Sequence, residues 1–186
     1  MKRSFDVVLV CMALLLLLIP IIIVSLLVRL TSSGPVLYWS DRVGQNNQIF
    51  KMPKFRSMLT GTPPVATHLL RNPDAYLTPI GGFLRKSSLD ELPQLWSIIR
   101  GDMSLVGPRP ALFNQHDLID LRTRAGAHVL LPGLTGWAQI NGRDELPIPQ
   151  KVALDVEYLH RRSFFFDLKI ILLTALKVLK RDNVTH

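Results

Sequence analysis

The sequence predicts an α+β domain held at a membrane, and three observations carry that prediction. Residues 7–28 contain no charged side chain and, at about 1.5 Å per residue, are long enough to cross a hydrocarbon core of ~30 Å. Two strand-like runs, 36–39 and 48–58, flank a GQNN turn at residues 44–47, which reads as a small β-hairpin. Most of the remaining chain is cut by proline and glycine into short amphipathic segments that suit helices lying at a bilayer surface.

The apolar run comes first. A cleaved leader would have a shorter apolar region and a small-residue cleavage site, and neither is evident; a buried core helix is the other reading of such a run. Pro20 lacks an N–H and clashes with the preceding turn, so it predicts a kink that divides the segment into two arms of roughly 20 Å or less, each too short to cross alone. Lys2 and Arg3 precede the run, while Arg29 and Arg42 follow it. Basic residues on both flanks suit one shared face. The expectation is a re-entrant helix over residues 1–31 followed by a cytoplasmic catalytic domain over residues 32–186. Asp6, at the segment's edge, is read as a helix cap or a partner of Arg3.

Composition narrows the partners. Twenty-two Lys and Arg against 14 Asp and Glu give a net charge of +8, which favours anionic ligands. The single cysteine, Cys11, excludes an intrachain disulfide and supplies no cysteine metal cluster. Lys51, Lys54 and Arg56 lie beside Phe50 and Phe55, a pattern also found on nucleic-acid surfaces. The charges are few, and the membrane segment offers them a better use on lipid headgroups or a substrate phosphate, so no nucleic acid is expected. Residues 59–79, with four prolines and little periodicity, read as an exposed loop in which His68 faces solvent.

Residues 85–96, RKSSLDELPQLW, place the adjacent carboxylates Asp90 and Glu91 where a helix starts, within the few residues before Pro93. Leu92, Leu95, Trp96 and Ile99 then recur at helical spacing and predict its buried face. Ser88 with Glu91 fits a capping box, and that structural reading stands beside a functional one. In the functional reading, Arg85 and Lys86 together with free N–H groups attract phosphate, and a divalent cation reconciles that anion with two acids. Residues 101–110, GDMSLVGPRP, hold Arg109 between Pro108 and Pro110. A guanidinium so fixed can fork onto a phosphate or base carbonyl, or be a plain turn arginine.

Residues 111–128 read as a weakly amphipathic helix. The glycine-rich stretch 132–143 offers Thr135, Gln139, Asn141 and Arg143 as polar groups beside Trp137, and its glycines suit either ligand approach or turns. Residues 150–162 predict a helix with Asp155, Tyr158 and Arg162 on its polar side. In residues 163–180, Lys169, Lys177 and Lys180 fall on one arc of an otherwise apolar helix, which suits the membrane interface or packing onto the domain's own core.

Five motifs in order carry a family resemblance. KRSFD at 2–6, KFRSM at 54–58, FLRKSSLDELPQLW at 83–96, GDMSLVGPRP at 101–110 and GLTGWAQINGR at 133–143, with DLKI at 167–170, resemble the bacterial sugar transferases. In size the chain is similar to their minimal, catalytic-domain-only members, the monotopic phosphoglycosyl transferases. The resemblance implies transfer of a phosphosugar from a UDP-sugar to undecaprenyl phosphate at the cytoplasmic face of the bacterial inner membrane, with Mg2+. It implies Asp90 as nucleophile, Glu91 as the magnesium ligand, Arg85 as a phosphate contact, and Pro108, Arg109 and Pro110 as a nucleotide contact. Lys54, Arg56, Gln139 and Arg143 complete the expected substrate-binding set, inner-membrane lipids are expected partners, and a homodimer is compatible with the chain. The residue before Pro20 is Ile19, where some members carry serine, and residues 59–79 match no family motif.

Overall fold

The computed structural model describes residues 2–63, 65, 72–142 and 146–180. Helix α1 (Lys2–Thr31) leads into the hairpin β1 (Leu37–Val43) and β2 (Ile49–Phe55), then the short helices α2 (Gly81–Lys86) and α3 (Gln94–Arg100). Strands β3 (Ser104–Val106) and β4 (Ala111–Leu112) are followed by α4 (His116–Arg124), β5 (Gly133–Thr135), α5 (Trp137–Ile140), α6 (Ile148–Arg161) and α7 (Phe164–Lys180). One antiparallel sheet has the order β2-β1-β4, and β3 pairs with β5 in parallel. The predicted hairpin is present, its first strand longer and its second shorter than the sequence runs, with Leu37 opposite Phe55 and Val43 opposite Ile49.

α1 has 30 residues, about 45 Å at 1.5 Å per residue, and is continuous through Pro20. The expectation of two separate arms is therefore not met. A proline inside a helix costs about 3 kcal/mol, and apolar packing on both halves of α1 offsets it. Val10 packs with Met52, Leu95, Ile98 and Met103, while Val24 and Val28 pack with Phe55 and Leu84. These contacts follow one side of the helix. The opposite side, with Leu15, Leu16, Ile19 and Leu30 each more than two-thirds exposed, is uncovered. Only 11% of its most apolar window is buried, so α1 is no core helix.

Both ends of α1 are tied to the rest of the chain. Lys2 Nζ donates to the Val106 carbonyl and the Tyr158 hydroxyl, each at 3.1 Å, and pairs with Asp167. Arg3 donates to the carbonyls of Ile98 and Ile99 at the end of α3. Asp6 neither caps the helix nor meets Arg3. It is buried and accepts a hydrogen bond from Ser104 Oγ at 2.6 Å, which secures α1 to β3.

Several helical faces differ from the periodicity. On α3 the buried residues are Gln94, Leu95, Ser97 and Ile98, whereas Trp96 is 53% exposed. The helix is too short for its pattern to fix its rotation, and contact with both α1 and β2 decides it. Residues 111–128 begin as β4, because Gln115 Oε1 accepts from the Leu112 N–H at 2.9 Å and turns the chain before α4. Asp155 and Tyr158 are buried rather than on a polar side, since each meets a partner on another helix, Arg122 on α4 and Asp167 on α7. α7 packs one side onto the core, as one of its two expected uses has it, and leaves an apolar side uncovered. Phe166 and Ile170 join the core around Val106 and Tyr158, while Phe165, Leu168 and Leu172 are exposed. The loop at residues 59–79 is not wholly exposed either: its first residues wall a cavity, and Met58 bridges Leu77. His68 lies outside the described residues.

Candidate active site

The two acids are set by a strained turn. After α2, Ser88 adopts a left-handed conformation at φ 57°, ψ 16°, and Leu89–Glu91 form a single 3-10 turn. Such a conformation costs a non-glycine residue roughly 1–2 kcal/mol, and no capping hydrogen bond is made by the Ser88 side chain, so the capping-box reading is overturned. Pro93 is the N-cap of α3, whose first helical residue is Gln94, so the helix starts after the proline rather than in the residues before it, and Asp90 and Glu91 lie in the separate 3-10 turn. α2 is pressed onto the end of β2 at Gly81, where a Cβ would lie 2.0 Å from the Ser57 carbonyl oxygen. This brings Asp90 and Glu91 under the side chain of Lys54 on β2.

The neighbouring carboxylates have unlike surroundings. Glu91 Oε1 accepts from Lys54 Nζ at 2.8 Å and from Arg109 Nη2 at 3.0 Å. Burial pushes its carboxyl up, but the two cations together hold it well below the usual carboxylate range. Asp90 is 6% exposed; its Oδ2 stands 3.9 Å from Lys54 Nζ, and its Oδ1 is buried with no hydrogen-bond partner. Burial raises its pKa to about 6, with the Lys54 charge opposing and the Glu91 charge adding to the rise. One acid is thus held ionised by contact, and the other keeps an oxygen without a partner.

Asp90 faces a cavity of about 720 Å³ whose wall also carries Arg42, Lys54, Arg56, Arg85, Arg109, Arg122 and Lys151. Seven cations around one acid favour a polyanionic ligand. Gln139 and Pro110 share this wall. Gln139 is 9% exposed, and neither its amide nitrogen nor its amide oxygen has a partner. Arg85 is at the last turn of α2, with Nη1 3.5 Å from Met58 Sδ. Arg56 is 4% exposed and donates to the Pro35 carbonyl at 2.6 Å and the Ser32 carbonyl at 3.0 Å. Pro108 is not on this wall; its carbonyl accepts from the Gly133 N–H at 2.8 Å and locks the loop in place. Arg143 lies outside the described residues.

Arg42, Arg122 and Lys151 were not among the sequence candidates. Arg42 Nη1 donates to the Pro110 carbonyl at 3.1 Å, and Arg122 Nη1 donates to the Arg109 carbonyl at 2.8 Å, so two guanidinium groups clamp the loop that presents Arg109. Arg122 is in turn held by Asp155 Oδ2 at 2.8 Å from Nε and 2.7 Å from Nη2. Nothing local signals this pairing, because the partners are 33 residues apart. The glycines of the two rich segments serve close packing of backbone on backbone. A Cβ on Gly133 would lie 2.1 Å from the Gly107 nitrogen, and one on Gly136 would lie 2.1 Å from the Gly107 oxygen.

Among the described residues no three His, Cys, Asp or Glu side chains gather as a ready metal cage. Magnesium is ordinarily held by one or two carboxylates together with substrate phosphates. Two adjacent carboxylates, one with a buried oxygen lacking a partner and the other contacted through Oε1, fit an ion that arrives with a diphosphate.

Known proteins share this framework. The chain is 41% identical to the exopolysaccharide production protein ExoY of Rhizobium meliloti, over 93% of this chain and 83% of that one. It is 41% identical to the sugar transferase EpsL of Bacillus subtilis, over 99% of this chain and 90% of that one. It is 40% identical to the UDP-glucose:undecaprenyl-phosphate glucose-1-phosphate transferase of Escherichia coli, over 95% of this chain but 40% of that longer protein. The family model for bacterial sugar transferases matches residues 1–181. Agreement across nearly the whole length, in the segments that build the cavity as well as in α1, shows that the chain belongs to the bacterial sugar transferase family.

Proposed function

We propose that the chain transfers a phosphosugar from a UDP-sugar to undecaprenyl phosphate, releasing UMP, by two displacements at Asp90. The observation that carries this reading is the division of labour between neighbouring acids: Glu91 is neutralised by Lys54 and Arg109, while Asp90 keeps an unpartnered oxygen in a cationic cavity. The names of the relatives supply the substrate class.

In the first displacement, a carboxylate oxygen of Asp90 bonds to the sugar-linked phosphorus, the bond from that phosphorus to the bridging oxygen breaks, and UMP leaves with the electron pair. In the second, a phosphate oxygen of the acceptor bonds to the same phosphorus, and the Asp90 carboxylate leaves. An acceptor phosphate with a second pKa of about 6 is largely ionised near neutrality, so a general base at Asp90 is not required. Lys54, Arg85 and Arg109 offset the charge that builds when an anionic nucleophile meets a diphosphate. Bound at Glu91, Mg2+ would supply further charge neutralisation. Gln139, with an amide donor and acceptor side by side, suits the paired acceptor and donor edge of uracil.

The attachment of both ends of α1 to the same domain supports a helix that enters and leaves the membrane on one side. With nucleotide sugars as donors, that side is the cytoplasmic face of the inner membrane. The test is incubation with radiolabelled UDP-sugar without acceptor. A stoichiometric burst of UMP and label on the peptide containing Asp90 are expected. UMP formed only when undecaprenyl phosphate is added would mean a single displacement and overturn the covalent step.

A further inference from the structure

We propose that Arg56 seats the phosphate of the lipid acceptor, apart from the cations that hold the donor diphosphate; this rests on the two-displacement reading above. Lys54 and Arg56 are two residues apart at the end of β2 and line one cavity. At about 3.3 Å per residue, their backbones are separated by roughly 7 Å. Lys54 is committed to Glu91 and faces Asp90. Arg56 is committed on its other side to the carbonyls of Ser32 and Pro35, the residues that follow the end of α1 at Thr31. Arg56 therefore joins the wall of the cavity that Asp90 lines to the point where the apolar helix meets the domain.

That guanidinium is incompletely used. Nε and Nη2 have carbonyl partners, whereas Nη1 is buried with none. A buried cation with an idle nitrogen is costly unless an anion completes it, and a guanidinium matches phosphate by a forked contact. Two features of the surroundings select a lipid-borne phosphate. Gly34, at φ 115°, lies close enough to the guanidinium that a Cβ would stand 3.6 Å from Arg56 Cζ and 3.0 Å from Thr60 Cγ2, so the turn at residues 59–60 borders the exit of α1. On that turn Leu59 lines the cavity yet is 45% exposed, an apolar rim beside which a hydrocarbon chain can pass. The donor is hydrophilic and has no use for such a rim.

The full chain in nanodiscs, as Arg56→Gln and Arg56→Lys, separates the two half-reactions. Arg56→Gln is expected to lower the UMP burst from UDP-sugar far less than it weakens the acceptor step. Chased with undecaprenyl phosphate, its phosphosugar-enzyme should show an acceptor KM raised at least tenfold, with Arg56→Lys recovering part of the loss. A burst reduced as much as the chase would make Arg56 a brace or a donor contact and overturn the proposal, as would an unchanged chase. Should Arg56→Gln not fold, Arg56→Lys decides by the same split. If the wild-type protein gives no burst, the two-displacement reading fails by itself, and a steady-state KM raised for acceptor but not donor still tests the seat. Equal weakening of binding to anionic vesicles lacking acceptor would assign Arg56 to phospholipid headgroups and overturn it.

Discussion

Asp155 and Asp90 are both buried acids within reach of cations, yet the two regions use them in opposite ways. At the seam of α4 and α6, Asp155 is met at 2.7–2.8 Å by two nitrogens of Arg122, whose remaining nitrogen holds the Arg109 carbonyl. At the cavity floor, the nearest cation to Asp90 is given instead to Glu91, and one Asp90 oxygen goes without a partner. Burial pushes both carboxyl groups up. The contrast separates a brace from the proposed nucleophile: the brace is completed by direct contact, and Asp90 is surrounded by charge without a hydrogen bond to it.

The sharpest way to break that contrast is Asp90→Asn. Turnover should fall by ~10³-fold or more, because a nucleophile is removed, while the folded protein becomes more stable at neutral pH. The folded pKa of about 6 lies above the ordinary 3.8. The stabilising contribution of the protonated acid is therefore complete below pH 3.8 and is lost as pH rises through 6. The Asn variant should gain about 3 kcal/mol above that window and nothing below it, read from thermal unfolding at pH 3 and pH 8. Wild-type UMP release should fall towards tenfold per pH unit below about 6, as Asp90 is protonated.

Asp155→Ala attacks the brace. Stranding Arg122 without its partner should cost about 3–5 kcal/mol in urea unfolding. The double change Arg122→Met with Asp155→Leu should recover most of that stability, yet leave a raised KM for the UDP-sugar because the Arg109 carbonyl has lost its donor. Gln139→Leu has the smallest effect. KM for the UDP-sugar should rise ~10-fold, by the loss of two hydrogen bonds, with kcat within about twofold and stability unchanged or slightly higher. A matching loss of kcat would move Gln139 from base recognition to the chemistry.

The elements legible in the sequence were those with local signals. An uncharged apolar run gave α1, a GQNN turn between strand formers gave the hairpin, and a proline signalled α3, although the helix starts after it and not before. The acid pair was legible as well, because its residues are consecutive. What was not legible depended on partners in other elements: Asp155 and Tyr158 look polar along α6 until Arg122 and Asp167 bury them, and Arg42 reads as a flanking charge until it reaches Pro110. The continuity of α1 through Pro20 also escaped, since packing along both halves is a tertiary effect. The role of residues 59–63 as cavity wall has no motif behind it.

The contact of Lys2 with Asp167 has a consequence for the order of folding. It joins residues 165 positions apart, and the Tyr158 hydroxyl that completes it belongs to α6. Arg3 and Asp6 find their partners at Ile98, Ile99 and Ser104 earlier in the chain, but the Lys2 fastening must wait until α7 has been synthesised, a loop closure whose entropic cost falls late. Until then the first residue of α1 lacks its last anchor while the rest of the helix already has partners in β2, α2 and α3, so a slowly translated or truncated α7 should loosen the leading end of α1 first.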